Sequence, residues 1–140
     1  MKQRINVLTI GVSDLEKSLE FYRDGMGLKT QGIIGTEFEH RAVVFFDLQG
    51  GLKLALYERE NLAWDSGVKI QPASATEFSI GYLVNSDAEV DEVMHQAEKA
   101  GAQVVKPAQK TFWGGYAGYF HDPDNHLWEI AHNPAWRIDE

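Results

Sequence analysis

The chain contains no cysteine and only four prolines in 140 residues, and its 13 Lys and Arg are outnumbered by 21 Asp and Glu. Without thiols there are no disulfides and no thiolate metal centres, which suits a reducing cytoplasm. The formal charge of −8 leaves no basic stripe to displace counterions and argues against nucleic-acid binding. It favours neutral or cationic ligands, or simply serves solubility. No apolar run reaches membrane-spanning length. After Met1-Lys2-Gln3-Arg4 the apolar stretch is short, is interrupted by Asn6 and Thr9, and meets charge at Asp14, Glu16 and Lys17, so no signal peptide is expected. What remains is ordinary globular composition, 44% hydrophobic and 24% charged, enough for one compact domain in the cytoplasm.

The chain does have an internal echo. Ser13-Asp14-Leu15-Glu16 follows the apolar run Ile5–Val12, and Ser86-Asp87-Ala88-Glu89 follows Phe78–Val84, about half the chain later. In each copy a serine followed three positions on by Glu predicts a capping box at a helix start. Glycines then close each helix, at Gly25 and Gly27 in one copy and Gly101 in the other. Repetition at this interval predicts a duplicated module.

Within the first module Leu15, Leu19, Tyr22 and Met26 form one helical stripe. Strands are expected over 28–34, 40–48 and 52–57, the last two joined by a tight turn at Gln49-Gly50-Gly51. A short helix over 58–65 and a linker over 66–76 follow. The second module repeats the order. A strand over 77–85 leads to a helix over 87–100, with Val90, Val93, Met94 and Ala97 inward. A strand over 103–106 is stopped by Pro107, and a hairpin pairs 116–121 with 126–132. Its turn, Asp122-Pro123-Asp124-Asn125, places Pro and a left-handed Asn where turns favour them. The fold class is therefore α+β, two tandem βαβββ modules: module one about 1–65, module two about 77–132, and a tail over 133–140. One helix covers only one face of each sheet, so the modules are expected to associate around a shared cavity.

Ile10–Ser18 with Phe21-Tyr22 and Gly27-Leu28, together with Gly114-Gly115-Tyr116 and Phe120–Glu129, resemble the vicinal oxygen chelate superfamily of glyoxalases, bleomycin-resistance proteins and extradiol dioxygenases. The resemblance implies eight strands around a common cavity and a homodimer. It also implies metal ligands, usually His, Glu or Gln, on the first and last strand of each module. Those positions fall here on Val7, on Ala55 (with Leu54 and Leu56 one residue either side), on Ser79 and on Glu129. Only Glu129 has strong ligand chemistry, and one carboxylate does not hold a divalent ion. No metal site and no cofactor are expected.

The histidines do not replace the missing ligands. Strand alternation turns His126 and His132 to the face opposite Glu129, and His95 lies on the outer helix. His40 and His121 remain as cavity-facing candidates.

Two readings stay open for Glu129: a hydrogen-bonded scaffold carboxylate, or a general base and anchor for a cationic or hydroxylated ligand. Trp113, Gly114 and Tyr116 are expected to contact a flat ligand, with Trp113 and Tyr116 equally readable as core. Ser79 joins them as a ligand contact. Arg41 and Tyr57 are candidates to orient an anionic group. Trp128 and Ile130 are assigned to packing beneath a helix. Trp64 and Trp136 are candidates to cover a cavity mouth or a dimer seam. The leading expectation is a metal-independent small-molecule binder. The alternatives are a divalent-metal lyase, isomerase or dioxygenase using His40 or His121 beside Glu129, and an interaction module with no ligand.

Overall fold

A computed structural model describes residues 1–139. The chain forms two compact units, Met1–Pro72 and Ala73–Glu140, and their boundary lies inside the segment expected to be a linker.

The first unit runs β1 (Val7–Val12), α1 (Leu15–Leu19), β2 (Thr30–Ile34), β3 (Val43–Asp47), β4 (Lys53–Glu58) and α2 (Arg59–Ser66). The second runs β5 (Ser79–Val84), α3 (Asp87–Lys99), β6 (Gln103–Lys110), β7 (Tyr116–His121) and β8 (Leu127–His132). The strand orders are β1-β4-β3-β2 and β5-β8-β7-β6. In each sheet the first strand pairs parallel to the last and the other pairs are antiparallel. The units thus share one topology, and the chain is an α+β fold of two βαβββ modules.

Alternation divides each sheet into a face under a helix and an open face. In the first unit Ile10, Val44, Phe46, Leu54 and Leu56 are buried with Leu15, Leu19 and Tyr22. Burying a side chain the size of Phe46 contributes about 2–3 kcal/mol. After α1 the helix widens into a π turn over Glu20–Gly25, where Met26 N–H donates to the Phe21 carbonyl at 2.8 Å. Phe21 and Tyr22 are both buried there, their rings edge-to-face at 4.9 Å. In the second unit Val90, Met94 and Ala97 of α3 are buried, as are Phe120 and Ile130 of the sheet.

Two local expectations change. The first helix is capped by Asp14, not Ser13: the Asp14 carboxylate accepts from the Lys17 N–H at 3.0 Å. The second cap is as expected. The Ser86 hydroxyl oxygen accepts from the Glu89 N–H at 3.2 Å, and Glu89 accepts from the Asn85 N–H at 3.1 Å. The strand expected to stop before Pro107 continues to Lys110. Pro107 is accommodated because β6 is an edge strand and its register shifts between Lys106 and Gln109. The hairpin turn carries Asn125 at φ 63°, the left-handed conformation anticipated for it. In the tail, the Asn85 amide donates to the Ile138 carbonyl at 2.9 Å and accepts from its N–H at 3.1 Å. Glu140, the last residue of the expected tail, lies outside the described residues.

Candidate functional site

The second sheet positions Glu129 through its register. Glu129 of β8 pairs with Gly81 of β5 on one side and with Tyr119 of β7 on the other. Residues directly paired share a face, so Gly81, Glu129 and Tyr119 form one row. A second row holds Ser79, Leu127 and His121, and a third holds Leu83, Ala131 and Ala117.

The alternate residues point at α3. A Cβ on Gly118 would stand 3.0 Å from Met94, the Tyr116 hydroxyl donates to Asp91 at 2.7 Å, and His132 Nδ1 meets Asp87 at 2.8 Å. The Glu129 row therefore belongs to the open face. As expected, Trp128 and Ile130 lie opposite, and Trp128 stacks on Phe120 at 6.0 Å.

Glu129 is half-buried beside its register partner Tyr119, which is half-buried too. Burial pushes the Tyr119 phenol above its ordinary value, and the negative charge of Glu129 pushes it further. Trp113 is 42% exposed, and its ring occupies the position a Cβ on Gly115 would take. Gly115 alternates with Ala117 and Tyr119, so this ring lies toward the Glu129 face. Gly114 has φ +89° and donates to the Thr111 carbonyl at 3.3 Å, serving the turn between β6 and β7. Ser79 opens β5 as an exposed residue on the Glu129 face.

Tyr116 is a correction. Expected beside Glu129, it sits on the helix-bearing face with its hydroxyl committed to Asp91, and this bond raises its pKa. Tyr119, three residues on, is the tyrosine that stands beside Glu129. The signal was available: the turn centres on Asp124, from which residues 119 and 129 are equally distant, so the hairpin itself pairs them.

In the first unit the open face carries Val7, Thr9, Ala55, Tyr57 and Phe45, while Leu54 and Leu56 point to the helix. This fixes Ala55 as the position matching the expected ligand site. Toward one edge of the sheet is a concavity of about 590 Å³ lined by Gln31, Gly32, Phe45 and Lys53 among others.

Arg41 and Tyr57 are already engaged. Arg41 donates to Asp65 at 2.9 Å and lies 5.4 Å over the Trp64 ring, and Tyr57 donates to the His40 carbonyl at 2.5 Å. His40 has φ 60°, meets Asn61 at 2.8 Å and stacks on Trp64 at 4.5 Å. These contacts are a local clamp between the β2–β3 loop and α2. They tie the Arg41 guanidinium to Asp65 and the Tyr57 hydroxyl to the His40 carbonyl. Trp136 is exposed, its N–H donating to the Asn133 carbonyl.

A divalent ion is tested by the donor set. Val7 and Ala55 have no donor atom, and Ser79 offers a neutral hydroxyl. Among the described residues no three His, Asp or Glu side chains are grouped to hold a metal. His126 is bonded to the buried Asp122 at 2.7 Å and His132 to Asp87, so both are turned from Glu129. His121 shares its face, one row away. The four strand positions do not fit a divalent ion.

Known proteins carry the same architecture. A glyoxalase-related enzyme from Fulvimarina pelagi is 35% identical, with a TM-score of 0.83 over 99% of this chain and 94% of that one. The uncharacterized protein YraH of Bacillus subtilis is 29% identical over 123 residues, 85% of this chain and 90% of YraH. The metallothiol transferase FosB of Staphylococcus haemolyticus is 27% identical over 134 residues, 93% of this chain and 84% of FosB. The family model of the Glyoxalase/Bleomycin resistance protein/Dioxygenase superfamily matches residues 4–130. With nearly the whole sequence spanned by that match, the chain belongs to this superfamily.

Proposed function

We propose that this protein binds a small organic molecule on the open face of its second sheet, without a divalent ion at the strand positions its superfamily uses for one. The observation that carries this is the pairing of Glu129 with Tyr119 on the face turned away from α3, while Val7, Ala55 and Ser79 stand at the other three positions. A half-buried carboxylate costs desolvation and is normally paired. Tyr119 stands beside it in the register, and the carboxylate has capacity for a ligand donor. Ser79 supplies a hydroxyl one row away, and the partly exposed Trp113 supplies an aromatic surface. Glu129 acts here as anchor or as general base. The chemistry in FosB's name belongs to that protein. The working form is a cytoplasmic homodimer, a reading supported by the superfamily resemblance and the cysteine-free composition.

His121 on the Glu129 face favours a second reading, an ion held by these two residues in a lyase, isomerase or dioxygenase. A thermal-shift screen over divalent ions and aromatic metabolites separates the two. A ligand at one hundred times its Kd stabilises by about 2.7 kcal/mol. Organic compounds are expected to raise Tm in a manner weakened by Glu129→Gln. A large shift from the ion alone would establish the second reading instead.

A further inference from the structure

Gly81 stands directly beside Glu129 in the register, on the side away from Tyr119. Nothing in the fold requires a glycine there. Its φ lies outside the left-handed region, and a Cβ built on it would meet only the flexible end of Leu83, at an ordinary 3.6 Å. Contrast Gly118 in the same sheet, where a Cβ would crowd Met94 and the Ala108 backbone at 3.0 Å. Glycine inside a strand costs stability relative to any residue with a side chain, and it marks places where another group comes close. The space over Gly81 opens to solvent, with the Glu129 carboxylate along one side and Ser79 on the same face of β5. The Ser79 hydroxyl has no hydrogen-bond partner among the described residues.

From this we infer that Gly81 keeps open a subsite for a compact cationic donor, a primary ammonium group on the ligand, seated between Glu129 and Ser79. The inference rests on the Glu129 reading above and adds the ligand's charge and the residue that admits it. An ammonium supplies three N–H donors. The Glu129 carboxylate accepts one of them, and the unpartnered Ser79 hydroxyl beside Gly81 accepts a second. A neutral hydroxyl would gain less from the carboxylate, since charge-assisted hydrogen bonds are roughly twice as strong as neutral ones. A carboxylate ligand would be repelled. The chain's −8 charge attracts the cation at longer range.

The test is an amide chemical-shift titration of the full chain with benzylamine, and with benzyl alcohol as its uncharged counterpart. Wild type, Gly81→Ala, Gly81→Val and Glu129→Gln are compared. Benzylamine is expected to shift the Ser79, Gly81 and Glu129 amides and to bind more tightly than benzyl alcohol. Gly81→Val should weaken it roughly tenfold or more, by filling the space, and Gly81→Ala should weaken it less. Both variants should melt at or above the wild-type temperature, because no existing contact is lost. A merely structural glycine predicts the reverse, a lowered Tm with binding unaltered. Unchanged affinity in Gly81→Ala and Gly81→Val overturns the subsite, as does equal affinity for benzyl alcohol or no benzylamine binding to wild type. If another organic compound then still binds in a Glu129-dependent manner, only the ammonium assignment falls. If none does, the broader reading falls with it.

Discussion

Removing the Tyr119 hydroxyl isolates the contact on which the site is built. Tyr119→Phe removes the phenol that the Glu129 charge acts on without changing the ring that packs on the sheet. Such a contact contributes at most about 1.5–3 kcal/mol, the value of a dry hydrogen bond to a charged group. Both partners are half-buried, so water competes for them, and a discounted value near about 1 kcal/mol is expected. Glu129→Met removes the charge while keeping volume. The double variant should then be more stable than the two single losses summed, by about 1 kcal/mol of coupling. With a urea m-value of about 2 kcal/mol/M, that is a midpoint difference of roughly 0.5 M, readable by circular dichroism. Alkaline absorbance titration gives an independent readout. The Tyr119 phenol is raised first by burial and then by Glu129, so Glu129→Met should lower its ionisation only part of the way. A phenol raised on folding stabilises the protein below the ordinary tyrosine value of about 10, and this stabilisation is lost as pH climbs through the folded value. Coupling inside the additive error of about 0.3–0.5 kcal/mol, with a tyrosine titration indifferent to Glu129, would refute the pairing.

Gly118→Ala should destabilise by about 1–3 kcal/mol in urea unfolding, because the new methyl meets Met94 and the Ala108 backbone. Ser86→Ala should cost about 1 kcal/mol in urea unfolding through the lost cap of α3. Asp87 is held below the usual carboxylate range by hydrogen bonds from His132 and then Lys110. Its contribution is therefore present above the ordinary Asp value and is lost as pH falls through the lowered one. Asp87→Asn should flatten that part of the acid-unfolding curve, and an unaltered curve would discount the bridge.

The fold was legible because its signals are periodic. Of the four residues that period 3.6 selects in α3, Val90, Met94 and Ala97 are buried and Val93 is half-buried, while in Leu127–His132 period 2 assigns the faces rather than the burial, since Ile130 and Ala131 are both buried. The face of Glu129 followed from the same alternation, which also separated it from His126 and His132. What the sequence concealed was pairwise. Ser13 and Asp14 are adjacent cap formers, and only the backbone geometry, with Asp14 extended at φ −135°, decides between them. Pro107 reads as a stop unless β6 is known to be an edge. The partners of Arg41 and Tyr57 were hidden because Asp65 and the His40 carbonyl are distant along the chain. Gly81 looks like any other strand glycine until Glu129 is found beside it.

The account turns on whether the Glu129 face works without a divalent ion. Metal content per chain, measured by plasma mass spectrometry on protein purified without chelator from metal-supplemented cells, tests this most directly. The structure predicts far less than one ion per chain, unaffected by Glu129→Gln. Close to one equivalent of a single transition metal, lost in that variant, would contradict it.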